Sequence, residues 1–237
     1  MNSIGTKIFL IIETVLYLSF LSLDINGFFA FSAYIKYLSI CIVFLFILLK
    51  SIQMRRSFLI PVALGFSVFA DYFLLFTSSF IPGLMAFLVV QILLFLRIQI
   101  RLDLSVVYRI GPMLFLFVLG MATLIILHPE LDLVTVLAMI YFLCFLNNVL
   151  TVVITMNTGQ CWKDKTYLLF SMGLILFFIC DIHVGIYNLS TYVSSTSQIF
   201  IKYESWFSIA MWLFYLPGQT LIGLSNLLNK KYLQESK

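Results

Sequence analysis

Apolar segments long enough to cross a bilayer recur along the whole chain. A helix needs about 20 mostly apolar residues to span about 30 Å of hydrocarbon. Eight such segments are predicted, at residues 8–23, 33–50, 58–77, 81–100, 106–127, 133–155, 166–188 and 206–227. Because lipid offers no hydrogen bonds to backbone groups, these segments are expected to be helices. The sequence therefore predicts an all-α transmembrane bundle, with residues 1–237 forming a single integral membrane domain.

Composition supports this class and excludes several others. Only 10% of the residues are charged, whereas a soluble domain has about 25%, and the mean hydropathy is +1.10. The net charge of +4 is spread over many connections without a basic stripe, so no nucleic-acid partner is predicted. The four cysteines show no metal-binding spacing, so neither a metal site nor another cofactor is predicted.

The distribution of Lys and Arg predicts the orientation. With the N-terminus inside, only Lys36 and Lys202 fall on the outer side, which leaves twelve of the 14 basic residues on the inner side. Asp24 is assigned to the first outer connection. This asymmetry follows the positive-inside rule. It predicts eight spans with both termini cytoplasmic, in the cell membrane.

Two aspartates lie well inside predicted spans. Asp71 comes 13 positions after Phe58 and Asp181 comes 15 positions after Thr166. At about 1.5 Å per residue, both lie about 20 Å from the inner boundary. Ionisable groups at such depths are costly and usually functional. We expect the two carboxyl groups to face one cavity in the outer half of the membrane, near Lys36.

Further polar side chains are predicted to support this site or bind its substrate. They are Lys36, Gln91, Tyr141, Asn147, Tyr215 and Gln219. Simpler interpretations stay open: an aspartate paired with Lys36, interhelical hydrogen bonds from the amides, and an interfacial role for Tyr215. Glu13 is expected near the inner boundary, snorkelling or paired with Lys7, and is left out of the site.

Several motifs then point to a known family. They are Gly65-Phe-Ser-Val-Phe-Ala-Asp71, Phe80-Ile-Pro-Gly-Leu-Met-Ala-Phe87, Leu169-Phe-Ser-Met-Gly-Leu-Ile-Leu-Phe-Phe-Ile-Cys-Asp181 and Tyr215-Leu-Pro-Gly-Gln219. With Lys36 at the start of the second helix, the chain resembles the lysoplasmalogenase family, the YhhN-like eight-span membrane proteins. It departs from the family pattern at Tyr37, Gln91, Phe95 and Ile182, where proline, histidine, tyrosine and serine are usual.

The resemblance implies a lipid substrate and a hydrolytic reaction. It implies cleavage of the vinyl ether bond of lysoplasmalogens to a fatty aldehyde and a glycerophospho-alcohol, with Asp71 and Asp181 as the catalytic residues. The reaction needs a general acid, an anion near a developing cation and a base for water, which two carboxyl groups in different protonation states supply. Lys36 is expected to keep one of them ionised. The alternatives are a transporter or a lipid-binding, catalytically diverged homologue that uses the same aspartates.

Overall fold

The computed structural model describes residues 4–77, 79–102, 105–127, 132–157, 164–192 and 198–228. Within these ranges the chain forms eight α-helices and no strand. The helices are α1 (Ile4–Ile25), α2 (Phe29–Gln53), α3 (Leu59–Phe76), α4 (Phe80–Leu102), α5 (Val106–Leu127), α6 (Leu133–Asn157), α7 (Lys165–Tyr192) and α8 (Gln198–Leu228). The predicted helical class is therefore confirmed.

Seven of these described helices are long and apolar enough to cross a membrane, which makes the chain a multi-pass membrane protein. The exception is α5, whose apolar stretch Arg109–Thr123 is shorter. The largest boundary difference is at α8, which begins at Gln198 and not at the predicted residue 206. This first part of α8 includes Lys202 and Glu204. Such charges lower the local hydropathy without preventing a helix, so hydropathy alone places the start too late.

Large apolar side chains face outward along the helices as well as inward. Ile4, at the start of α1, is 77% exposed, and Ile126, near the end of α5, is 80% exposed. Other large side chains, including Phe20, Phe145 and Phe177, are completely buried in the core between helices. Apolar surface on both sides of a helix is typical of a bundle whose outer face contacts lipid.

Two glycines bring α7 and α8 into backbone contact. A Cβ atom added to Gly173 would lie 2.8 Å from the carbonyl oxygen of Gly218, and one added to Gly218 would lie 3.0 Å from that of Gly173. Small residues permit such approach between membrane helices. The close packing fixes α7 against α8 and thereby positions the polar residues that both helices carry near this contact.

Candidate active site between α3, α6, α7 and α8

The structure brings the two intramembrane aspartates together from different helices. Asp71 lies in the second half of α3, where it is 4% exposed. Asp181 lies on α7 and is half-buried. The two carboxyl groups are close enough to interact electrostatically. Cys180, which also interacts with both carboxyl groups, is itself buried in the core.

Each aspartate has its own tyrosine. The Tyr215 hydroxyl group on α8 donates a hydrogen bond of 2.7 Å to Oδ2 of Asp71. The Tyr141 hydroxyl group on α6 donates to Oδ2 of Asp181. The Phe87 ring lies 6.2 Å from the Tyr141 ring and 6.3 Å from the Tyr215 ring, centroid to centroid. The Phe87 ring therefore lies next to both tyrosines that bind the aspartates.

A network of buried amide side chains reaches the Tyr141 hydroxyl group. The Gln91 side chain, completely buried on α4, interacts with the Tyr141 hydroxyl group. Asn148 on α6 is also completely buried, and its Nδ2 donates to the carbonyl oxygen of Gln91 at 2.9 Å and to Gln91 Oε1 at 3.2 Å. Asn147 makes no described hydrogen bond to Gln91 or Asn148, and its Nδ2 donates to the backbone carbonyl oxygen of Arg109 at 3.1 Å. The structure thus uses Asn148 where the sequence predicted Asn147.

Arg109 ends this network and was not among the predicted site residues. Its guanidinium group, 5% exposed in the first turn of α5, donates to Asn148 Oδ1 at 3.1 Å. It also donates to the Phe95 carbonyl oxygen at 3.3 Å and to Gln99 Oε1 at 3.2 Å. The guanidinium carbon lies 3.9 Å from the centroid of the Phe95 ring. The sequence signal was only a basic residue near a helix start, which the positive-inside rule assigns to the surface.

Lys36 has a different partner from the expected one. Its Nζ lies 3.0 Å from Oδ1 and 2.7 Å from Oδ2 of Asp24. Asp24 is not in an exposed outer connection, because α1 extends through it and buries it against α2. The expectation that Lys36 keeps a site aspartate ionised is therefore wrong. Trp212 separates this ion pair from the site, 4.9 Å from Lys36 Nζ and 5.2 Å from the Tyr215 ring.

Three other polar residues make no described hydrogen bond to either aspartate. Gln219 is 2% exposed, and within the described residues its Nε2 has no hydrogen-bond partner. His183 stacks on Phe214, and its Nδ1 lies 2.7 Å from the carbonyl oxygen of Ile179. Glu13 neither snorkels nor pairs with Lys7. It is 5% exposed and accepts a hydrogen bond from Ser39 on α2, because its side chain points into the bundle.

Comparison with known proteins identifies the family. A search of curated proteins and a search of solved structures each found no match. The family model for the YhhN family matches residues 31–226, a range that begins in α2, ends in α8 and includes both aspartates. The chain therefore belongs to the YhhN family of membrane proteins.

Proposed function

We propose that the protein hydrolyses the vinyl ether bond of lysoplasmalogens and releases a fatty aldehyde and a glycerophospho-alcohol. The observation that supports this most is the meeting of Asp71 and Asp181, each accepting a hydrogen bond from a tyrosine. Membership of the YhhN family is the second support. Paired carboxyl groups suit a reaction that passes through an oxocarbenium ion, as in glycoside hydrolysis.

The proposed reaction begins with proton transfer to carbon. One aspartate, in its protonated form, gives its proton to the β-carbon of the vinyl ether, and the double bond supplies the electron pair. The resulting oxocarbenium ion is stabilised by the second, ionised aspartate. Water then adds to the cationic carbon, and a carboxylate accepts the proton that this water loses. The hemiacetal then collapses to aldehyde and alcohol: the carboxyl group that took the proton from water gives it to the leaving oxygen, and the other carboxylate takes the proton of the hemiacetal hydroxyl group. Both aspartates thereby return to their starting states.

Exposure differs between the two aspartates and suggests the direction of approach. Asp71 and Tyr215 are each only 4% exposed, whereas Asp181 and Tyr141 are half-buried. A lipid entering from the bilayer therefore reaches Asp181 first and places its vinyl ether between the two carboxyl groups.

Substitution of each aspartate tests the proposal. Purified protein is incubated with a lysoplasmalogen, and separately with a saturated acyl lysophospholipid, while aldehyde and fatty acid are assayed independently. Asp71→Asn and Asp181→Asn are each expected to lower aldehyde release about 10²–10⁴-fold, the usual contribution of a general acid or base. The double variant is expected to be little worse, because residues that act as a unit are not additive. Chelators are expected to leave the rate unchanged.

His183→Gln is the matched control, since His183 is an ionisable residue on the same helix that faces away from Asp181. It is expected to retain turnover. Near-normal aldehyde release by both single aspartate variants would reject the proposed roles. A wild-type protein that releases no aldehyde, but binds or moves a ligand in a manner that depends on both aspartates, would instead establish the transporter or lipid-binding alternative.

A further inference from the structure

The hydrogen bonds that lead from Arg109 to Asp181 have a fixed direction. A guanidinium group donates and never accepts, so Asn148 must turn its Oδ1 toward Arg109, as the 3.1 Å bond shows. The amide of Asn148 then has only its Nδ2 left for the opposite side. That nitrogen donates to the carbonyl oxygen and Oε1 of Gln91. One positive charge therefore sets the orientation of both buried amides.

The fixed order of donors and acceptors extends from Gln91 to the carboxyl group of Asp181. Because Gln91 uses Oε1 to accept from Asn148, its Nε2 is the atom left to face the Tyr141 hydroxyl group. Among the described residues this Nε2 makes no hydrogen bond, either to Tyr141 or to another group, so no other acceptor draws it away from the Tyr141 hydroxyl oxygen. A tyrosine hydroxyl carries a single proton. With an N–H donor facing its oxygen, Tyr141 directs that proton to Oδ2 of Asp181.

Asp71 lacks an equivalent constraint. Its tyrosine, Tyr215, is surrounded by the rings of Phe87, Phe177 and Trp212. Within the described residues no donor fixes the direction of the Tyr215 hydroxyl group. That hydroxyl can donate to an ionised Asp71 or accept from a protonated one. Because like charges at close range disfavour double ionisation, the pair is expected to hold one negative charge and one proton.

We propose that Arg109 and Asn148 are positioning residues that hold Tyr141 as a donor to Asp181 and so make Asp181 the ionised member of the pair, with Asp71 carrying the proton. Given the proposed function, this assigns the general acid to Asp71 and the cation-stabilising base to Asp181. A hydrogen bond donated to a carboxylate stabilises its charged form. The assignment of protonation states itself does not depend on turnover.

Within the part of the chain that the structure describes, the titratable groups that face Asp181 are few, so its protonation can be interpreted. They are Tyr141 on α6, Cys180 on α7 and Asp71 on α3. Replacing Asp71 by asparagine removes the one other carboxyl group among them. The infrared band of a protonated carboxyl group is recorded in this Asp71→Asn background. A band that disappears when Asp181→Asn is added belongs to Asp181. Its loss over a pH series reports the ionisation of Asp181 without any substrate.

The test compares Asn148→Leu and Arg109→Met with the parent in this background. In each, the Asp181 band is expected to persist to a pH about one to two units higher, as for loss of one hydrogen bond to a charged group. If one of these two variants fails to fold, the other still tests the proposal. Asn147→Leu is the matched control, since it makes the same change at the adjacent position, whose Nδ2 donates to the Arg109 backbone and to none of the side chains between Arg109 and Asp181. It is expected to leave the band unchanged.

A double variant separates action through Tyr141 from general damage. Tyr141→Phe removes the donor directly and is expected to give the same shift, and adding Asn148→Leu to it should then have no further effect. Three outcomes would overturn the proposal. They are a further shift in that double variant, an equal shift in Asn147→Leu, and no shift in Asn148→Leu and Arg109→Met. Because the band is read without substrate, these outcomes are distinct from an absence of aldehyde release, which bears only on the proposed function.

Discussion

Lys36 and Asp24 form a buried ion pair next to an aromatic surface. Their side chains are 6% and 1% exposed, and the Lys36 ammonium group also lies over the rings of Phe20 and Trp212. Removing one member of a buried pair leaves the other charge without compensation, at a cost of about 3–5 kcal/mol. Replacing both members by apolar residues costs much less or nothing. Loss of one member of the pair is therefore expected to destabilise the protein more than loss of both.

Lys36→Met is expected to lower the unfolding temperature in detergent strongly, whereas Lys36→Met combined with Asp24→Leu should recover most of the loss. The reason is that the single variant leaves the Asp24 carboxylate buried without its cation. Thermal unfolding followed by tryptophan fluorescence makes the comparison, since Trp212 lies at the pair. A double variant as unstable as the single one would show that packing, not charge, determines the effect.

The residue-level errors of the sequence interpretation have one geometric cause. Neighbouring positions on a helix point about 100° apart, so either Asn147 or Asn148 faces the site, depending on how α6 is rotated. Hydropathy leaves this rotation open, because α6 is apolar on all sides. The partner of Lys36 was missed for a related reason, since Asp24 was assigned to a loop by charge. The pairing of Asp71 with Asp181 could be expected because depth along a helix follows from counting residues.

At the scale of elements, the contact between α7 and α8 determines the geometry of the site. Asp181 and Tyr215 lie on these two helices, about two turns from Gly173 on α7 and within one turn of Gly218 on α8. At Gly173 an added Cβ would also lie 2.8 Å from the backbone nitrogen of Ile222. Backbone atoms in a packed helix cannot move independently, so any added side chain must push the helices apart.

Gly173→Ala and Gly218→Ala are each expected to reduce stability by about 1–3 kcal/mol, the usual effect of overpacking. They should also reduce aldehyde release, because displacement of α8 moves Tyr215 relative to Asp181. Gly111→Ala on α5 is the control, since a Cβ there meets nothing within 4 Å. It should be neutral or slightly stabilising, because alanine favours helix. Equal destabilisation by all three substitutions would contradict the role of the glycine contact.

At the scale of the whole molecule, the helix count and the charge asymmetry together predict which side each connection faces. Cysteine labelling with a membrane-impermeant reagent can test it after the native cysteines are replaced. Asn26→Cys, in the exposed α1–α2 connection, is expected to react from outside. Arg55→Cys, in the exposed α2–α3 connection, is expected to react only after the membrane is permeabilised. Labelling of both from the same side would refute the orientation, which rests on the distribution of Lys and Arg.

The acidic residues of α1 have a consequence for how the protein enters the membrane during synthesis. Glu13 and Asp24 on α1 accept hydrogen bonds from Ser39 and Lys36 on α2, respectively. The connection between the two helices has only three residues, 26–28. Inserted alone, each helix would present an uncompensated charge to hydrocarbon. Inserted together as a helical hairpin, the two helices satisfy these groups locally, long before the ribosome has made Trp212. The order of the chain therefore allows Asp24 and Lys36 to leave the translocon with their charges already paired.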